Sequence, residues 1–227
     1  MPDPTRRLAA PLCDTWAPLR LGSGIAAVRE YVRHGVTVGI GTDGSASSDN
    51  QNMFEAIRAA AFVSRVRGVP PAEWISTGDA FAMATEGSAR VLGMQDFIGK
   101  IARGYKADLV LLDLDHVNFV PLNNATNQIV FTENGGAVDK VLIGGKLVVA
   151  GGRAIGIDRA ALAAEAEAAV ERLAALNADA RRFAERIEPI VSNFCRGLAD
   201  DDMMHRLRRD LGRPDARCVY CGKPPHG

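Results

Sequence analysis

The order of hydrophobic and polar positions divides the chain into segments of different texture. Ile25 to Tyr31 has helical spacing and ends at His34-Gly35, and Val36 to Ile40 (VTVGI) reads as a buried strand. A polar turn, TDGSASSDN, follows. From Asn52 to Val66 apolar residues recur at Met53, Phe54, Ile57, Ala61 and Val66, which predicts an amphipathic helix capped by Asn50 or Asn52. A second helix is expected directly afterwards, from Asp79 to Leu92, with Thr77 as its cap and Gly93 as its stop. From Ile98 the pattern becomes short β-branched runs between glycine turns: IGKIARGYKADLVLLDLD, QIVFTE and VDKVLIGGKLVVAGGR. Gly144-Gly145 is a hairpin signal inside the last of these, and together the runs predict a small β unit. Arg159 to Arg186, rich in alanine and charge, predicts one helix of about 28 residues, about 42 Å long. Residues 200–227 are charged and then rich in Pro and Gly, the composition of a mobile tail.

Composition narrows the function classes. With 227 residues, 47% of them hydrophobic, the chain can bury a sizeable core. Lys plus Arg and Asp plus Glu both number 27, so no electrostatic footprint for nucleic acid or an anionic membrane exists. No run reaches the ~18 apolar residues of a membrane span, and the first residues lack a signal-peptide core, so a cytoplasmic protein is expected. Cys13 and Cys195 are isolated, which predicts reduced thiols. Cys218-Val-Tyr-Cys221, with His226 nearby, resembles half of a zinc knuckle. Structural zinc takes four ligands, and Cys195 or His205 would have to fold back to supply them, so no zinc is expected there.

The turn after the predicted strand carries the candidate chemistry. In VGIGTDGSASSDN, Gly39, Gly41 and Gly44 fit the dinucleotide pattern G-x-G-x-x-G. That fold needs a βαβ unit with an acidic residue ending the second strand. Here helix follows helix, and Asp43 would set a carboxylate among amides meant for a pyrophosphate. Two readings of Asp43 remain open on spacing alone. It is either a metal ligand at the carboxyl end of a parallel barrel strand, where barrel enzymes hold their chemistry, or an ordinary turn or cap aspartate.

Leu19 to Arg58 (LRLGSGIAAVREYVRHGVTVGIGTDGSASSDNQNMFEAIR) resembles the amidohydrolase superfamily. The branch concerned holds atrazine chlorohydrolase, S-adenosylhomocysteine deaminase and guanine or cytosine deaminases. The segment is similar to that branch's seventh loop, last barrel helix and eighth strand. MATEGSARVLGM followed by IGKIARGYKADLVLLDLD resembles the exit into a small β-sandwich, and IVFTENGGAVDKVLIGGKLVVAGGR its remainder. The likeness extends to about Ile187, and GTDG combined with G-x-x-A-D-L-V-L-L-D is its specific part.

The resemblance implies that Asp43 is the metal ligand after strand eight and a proton shuttle during hydrolysis. It implies zinc, with iron as the alternative, and a small heterocyclic substrate. Ser45, Ser47, Ser48, Asp49 and Asn50 line the loop after Asp43: read from the loop alone they are either substrate contacts, Ser45, Asp49 and Asn50 first among them, or ordinary turn and cap formers. The family's His-x-His after strand one, its histidines after strands five and six and its general-acid Glu have no counterpart here. His34, His116, His205 and His226 form no His-x-His, and each is expected at the surface, as are Asp113 and Asp115.

The expected architecture is therefore α/β, the C-terminal part of a TIM-type (β/α)8 barrel with a small β-sandwich portion and a long C-terminal helix. Its parts are a non-matching leader (1–18), the last βα units and helical exit (19–97), the sandwich portion (98–157), a helical segment (158–199) and the tail (200–227). The expected function is metal-dependent hydrolysis of a carbon–nitrogen bond, a deamination of a purine, pyrimidine or related ring, with the isolated chain inactive. Its expected macromolecular partner is the missing N-terminal half or a second copy. The rival is a non-catalytic fragment or interaction module that binds no metal.

Overall fold

The computed structural model describes residues 12–14, 16–21 and 24–199, and they fall into two compact units that divide between Ile155 and Gly156. The readings made for the tail, including Cys218, Cys221, His205 and His226, lie outside the described residues, as do the side chains of Cys13 and Cys195.

The first unit opens with β1 (Leu12–Asp14), α1 (Trp16–Arg20), α2 (Val28–Arg33) and β2 (Gly39–Gly41). β1 pairs in parallel with β2, Cys13 opposite Ile40, and the two helices between them form the crossover that parallel pairing requires. Thus the barrel-like part contains two strands where the sequence pattern predicts one. β1 is too short, and too polar at its end, to stand out as a strand. Val38 and Ile40 are buried, as the VTVGI reading requires.

After α3 (Ser45–Ser48), α4 (Met53–Val63) starts at Asn52, whose side chain accepts the amides of Phe54 and Glu55. Its buried face is mostly alanine: Ala56, Ala59, Ala60 and Ala61, with Ile57 and Val63. Small side chains bring the helix close to Val28, Val38, Ile40, Ile75, Met83 and Val130, which complete the core. α5 (Thr77–Ala82) leads into a π-helical turn (Met83–Gly87) and α6 (Ser88–Val91), and these last two lie against β2. The cap is Ser76, one residue before the expected Thr77, in a reciprocal box with Asp79. Gly87 lies so close to the strand that a Cβ there would stand 2.3 Å from the Val38 carbonyl oxygen, which explains its glycine.

β3 (Leu109–Leu112) is followed by α7 (Ala125–Phe131), a helix where QIVFTE reads as strand. Two local signals and one tertiary contact override the β-branched pattern. Asn124 caps the Asn127 amide, the Gln128 side chain accepts the amides of Asn123 and Asn124, and Val130 is buried in the core with α4. β4 (Val138–Ile143), β5 (Lys146–Ala150) and β6 (Arg153–Ala154) join β3 in one antiparallel sheet of order β3-β4-β5-β6. The β4–β5 hairpin turns at Gly144 and Gly145, both at positive φ (56° and 81°), as the glycine pair predicts. The sheet is a single layer among the described residues, and none of its strand residues is fully buried.

The second unit holds α8 (Arg159–Leu176) and α9 (Ala178–Ala199). The single helix expected from Arg159 to Arg186 is interrupted at Asn177 (φ −98°, ψ 11°) and continues to Ala199. Asn is a poor helix former that competes for backbone groups, whereas the alanine-rich pattern around it has no other stop. Asp158 caps α8 by accepting the amides of Ala160 and Ala161.

Candidate active site

The site is built where β2 ends. Asp43 follows the strand by two residues in a left-handed conformation (φ 55°), an uncommon state for a residue other than glycine, which Asp and Asn tolerate better than most. Its carboxylate is exposed, and Oδ2 accepts the Ser47 hydroxyl at 2.7 Å. That bond, and after it the Gly44 amide, holds the carboxyl below its ordinary range, so Asp43 is ionised at neutral pH.

Ser47 reaches Asp43 because α3 is one turn of helix wound directly after it. Ser45 opens that turn, exposed, and its carbonyl accepts the Asp49 amide. Asp49 is also left-handed (φ 65°), and its Oδ2 takes the Arg20 Nε at 2.5 Å, a contact that raises the Arg20 pKa. Arg20 also donates to the Ala46 carbonyl at 3.4 Å, so the end of α1 straps the loop from outside. Asn50 donates to Glu55 Oε2 and accepts the Asn52 amide, closing the approach to α4.

Of the expected substrate contacts, then, Ser45 is exposed beside Asp43, while the Asp49 and Asn50 side chains are engaged by Arg20, Glu55 and Asn52. Ser48 is buried beneath them, its hydroxyl against the carbonyls of Thr42, Gly44 and Asn50. Sequence reasoning gave Arg20 no role, because its partner lies 29 residues away and nothing local marks the pair.

A second carboxylate, Glu133, is fully buried between α7 and β4. Burial pushes its pKa up, but the amides of Ala137, Gly135 and Asn134 and the Asn118 side chain outweigh this and bring it below the ordinary value. Oε1 accepts Gly135 at 2.6 Å and Ala137 at 3.0 Å, and Oε2 accepts Asn118 at 3.1 Å. Arg58 binds the main-chain oxygens of Val130 and Glu133 and so ties α4 to this turn. His116 accepts the Asn118 amide through Nδ1, Asp113 accepts the Asp115 amide, and His34 ends α2 at the surface.

Residues 12–148 match the model of the amidohydrolase family, well over half of the chain. The chain belongs to the amidohydrolase family. A 5-methylthioadenosine/S-adenosylhomocysteine deaminase of Acetivibrio thermocellus is 40% identical over 131 residues, 58% of this chain and 30% of the relative. A 5'-deoxyadenosine deaminase of Methanobrevibacter smithii is 35% identical over 156 residues, 68% and 36% of the two chains. Among solved structures, an adenosine deaminase from Xanthomonas campestris with bound zinc superposes with a TM-score of 0.67 at 33% identity, covering 70% of this chain and 36% of that one. The zinc complex of atrazine chlorohydrolase from Arthrobacter aurescens gives 0.63 at 34% identity, covering 67% and 34%. These likenesses support an α/β fold of the amidohydrolase kind. This amidohydrolase spans about a third of the length of the curated relatives it matches.

For a divalent metal, Asp43 is a suitable single ligand: an exposed, ionised carboxylate at a strand end. A catalytic zinc takes three or more protein ligands, and among the described residues no group of three or more His, Cys, Asp or Glu side chains comes together. The residues present therefore fit one corner of a metal site. No described helix is long and apolar enough to cross a membrane.

Proposed function

We propose that this chain supplies the metal-ligating and proton-transferring aspartate, Asp43, of a hydrolase that deaminates an adenosine-type heterocycle. The observation that carries the proposal is an ionised, exposed carboxylate held in a left-handed turn at the end of a parallel strand, in a chain of the amidohydrolase family. The substrate class follows from relatives that are deaminases of 5-methylthioadenosine, S-adenosylhomocysteine and 5'-deoxyadenosine.

The metal we assign is zinc, as in the zinc-bound neighbours, and its chemistry when bound is Lewis acidity that brings the ionisation of water towards neutral pH. Asp43 contributes a charge that stays negative at working pH. Asp43 would hold the metal through its carboxylate, oriented by the Ser47 hydroxyl on Oδ2, and would take a proton from the attacking water and pass it to the leaving amine. Ser45 is the contact open to substrate on this loop, whereas Asp49 and Asn50 hold the loop's shape through Arg20, Glu55 and Asn52. The remaining ligands belong to family sequence beyond the described residues, which also carries most of the specificity.

The test is ammonia release from a panel of adenosine-type nucleosides, aminopurines and aminopyrimidines. It compares the 227-residue chain alone with the chain combined with a family segment carrying the His-x-His, the two later histidines and the acid Glu. Zinc-dependent turnover by the combination, and none by the chain alone, is expected. Turnover by neither would favour a non-catalytic interaction module.

A further inference from the structure

We propose that Ser48 is a positioning residue for Asp43, its buried hydroxyl fixing the left-handed turn that presents the carboxylate. The inference rests on the reading of Asp43 given above and adds a residue that does not touch the reacting groups. Ser48 Oγ lies 3.1 Å from the Gly44 carbonyl and 3.0 Å from the Asn50 carbonyl, and it also bonds the Thr42 carbonyl. These oxygens flank Asp43 on both sides, at Thr42 and Gly44, and reach the far end of the loop at Asn50. The residue is 7% exposed, so water does not substitute for the hydroxyl.

A serine hydroxyl has one proton to donate. The Gly44 carbonyl already accepts the amides of Ser47 and Ser48, so the proton of Ser48 goes to Thr42 or Asn50, the two ends of the loop. Between those ends the backbone passes twice through positive φ without glycine, at Asp43 and Asp49. Such conformations persist only where the surroundings over-determine them. Asp49 has the Arg20 strap. Asp43 has Ser47 on its side chain, but on its backbone the fastening is Ser48.

The hydroxyl is replaced in the full chain, and the state of Asp43 is read by nuclear magnetic resonance from its amide-to-α-proton coupling, carbon shifts and amide exchange. In Ser48→Ala the left-handed signature of Asp43 is lost and the Asp43 and Gly44 amides exchange at least tenfold faster, while Ser48→Thr, which keeps the hydroxyl, restores both. Left-handed shifts and exchange unchanged in Ser48→Ala overturn the proposal. If Ser48→Ala does not fold, Ser48→Cys, with a weaker donor of similar size, is read in the same way, and an unchanged Asp43 again overturns it. In the zinc-loaded combination with the family segment, Ser48→Ala lowers kcat at least tenfold with KM within about twofold, because ground-state contacts are untouched. A rise in KM with kcat unchanged overturns the positioning role. The resonance readouts need no metal or turnover, so their failure is separate from a failure of the deaminase reading, which is decided by Asp43 itself.

Discussion

The turn around Asp43 and the turn around Glu133 each centre on a carboxylate held below its usual pKa, yet they are built for opposite ends. Glu133 is fully buried, its oxygens saturated by two amides and an asparagine, and it joins α7 to β4. Asp43 is exposed, sits in a conformation that favours glycine, and is held only by the Ser47 hydroxyl and the neighbouring Gly44 amide. A lowered pKa is therefore no guide to function in this protein. Spare valence, exposure and backbone strain separate the carboxylate that can bind something from the one that has nothing left to bind.

The contrast is sharpest in stability. Glu133→Ala leaves the buried amides of Gly135 and Ala137 without an acceptor, and should destabilise the first unit by about 3 kcal/mol in urea or thermal unfolding. A cost below about 1 kcal/mol would mean that the turn is held by something else, such as Arg58.

Acid should act through the same residue. Its folded pKa is depressed, so its contribution is fully present above the unfolded value of about 4.3 and is lost as pH falls through the lower, folded value. Unfolding free energy should decline below about pH 4, and Glu133→Gln, which does not titrate, should flatten that decline. An equally steep acid slope in Glu133→Gln would remove Glu133 from the account.

Removing the other side chain should do the reverse. Asp43→Gly relieves the left-handed strain, at the expense of a more flexible unfolded chain, and should leave the unfolding midpoint unchanged or raise it slightly. A large loss would show that Asp43 is structural. The smallest effect belongs to the strap: Arg20 and Asp49 form an exposed pair, and Arg20→Ala should shift the unfolding midpoint least of these variants, and less still in high salt.

What could be read from the sequence was what local chemistry marks. Asn52 announces α4, Gly144-Gly145 the hairpin, and GTDG the strand end with Asp43 after it. Where burial decides, pattern misled: QIVFTE has the residues of a strand, but Val130 enters the core from a helix capped by Asn124. The break at Asn177 was hidden by the alanine run on both sides of it. At the site, GTDG pointed to Asp43, but Arg20 and the burial of Ser48 depend on residues brought together by folding. The expectation that Ser45, Asp49 and Asn50 touch substrate rested on their shared loop, and the partners that Asp49 and Asn50 find in Arg20 and Glu55 are not marked in the local sequence.

The most direct measurement sets the two carboxylates side by side in the ammonia-release assay, using the zinc-loaded combination of this chain with the family segment. Asp43→Asn keeps the residue's size and removes its charge and basicity, and should lower kcat by about 10²- to 10⁴-fold with the fold intact. Glu133→Gln should lose stability but keep its turnover per folded molecule. Full turnover in Asp43→Asn, or a loss confined to Glu133→Gln, would contradict the assignment of the chemistry to Asp43.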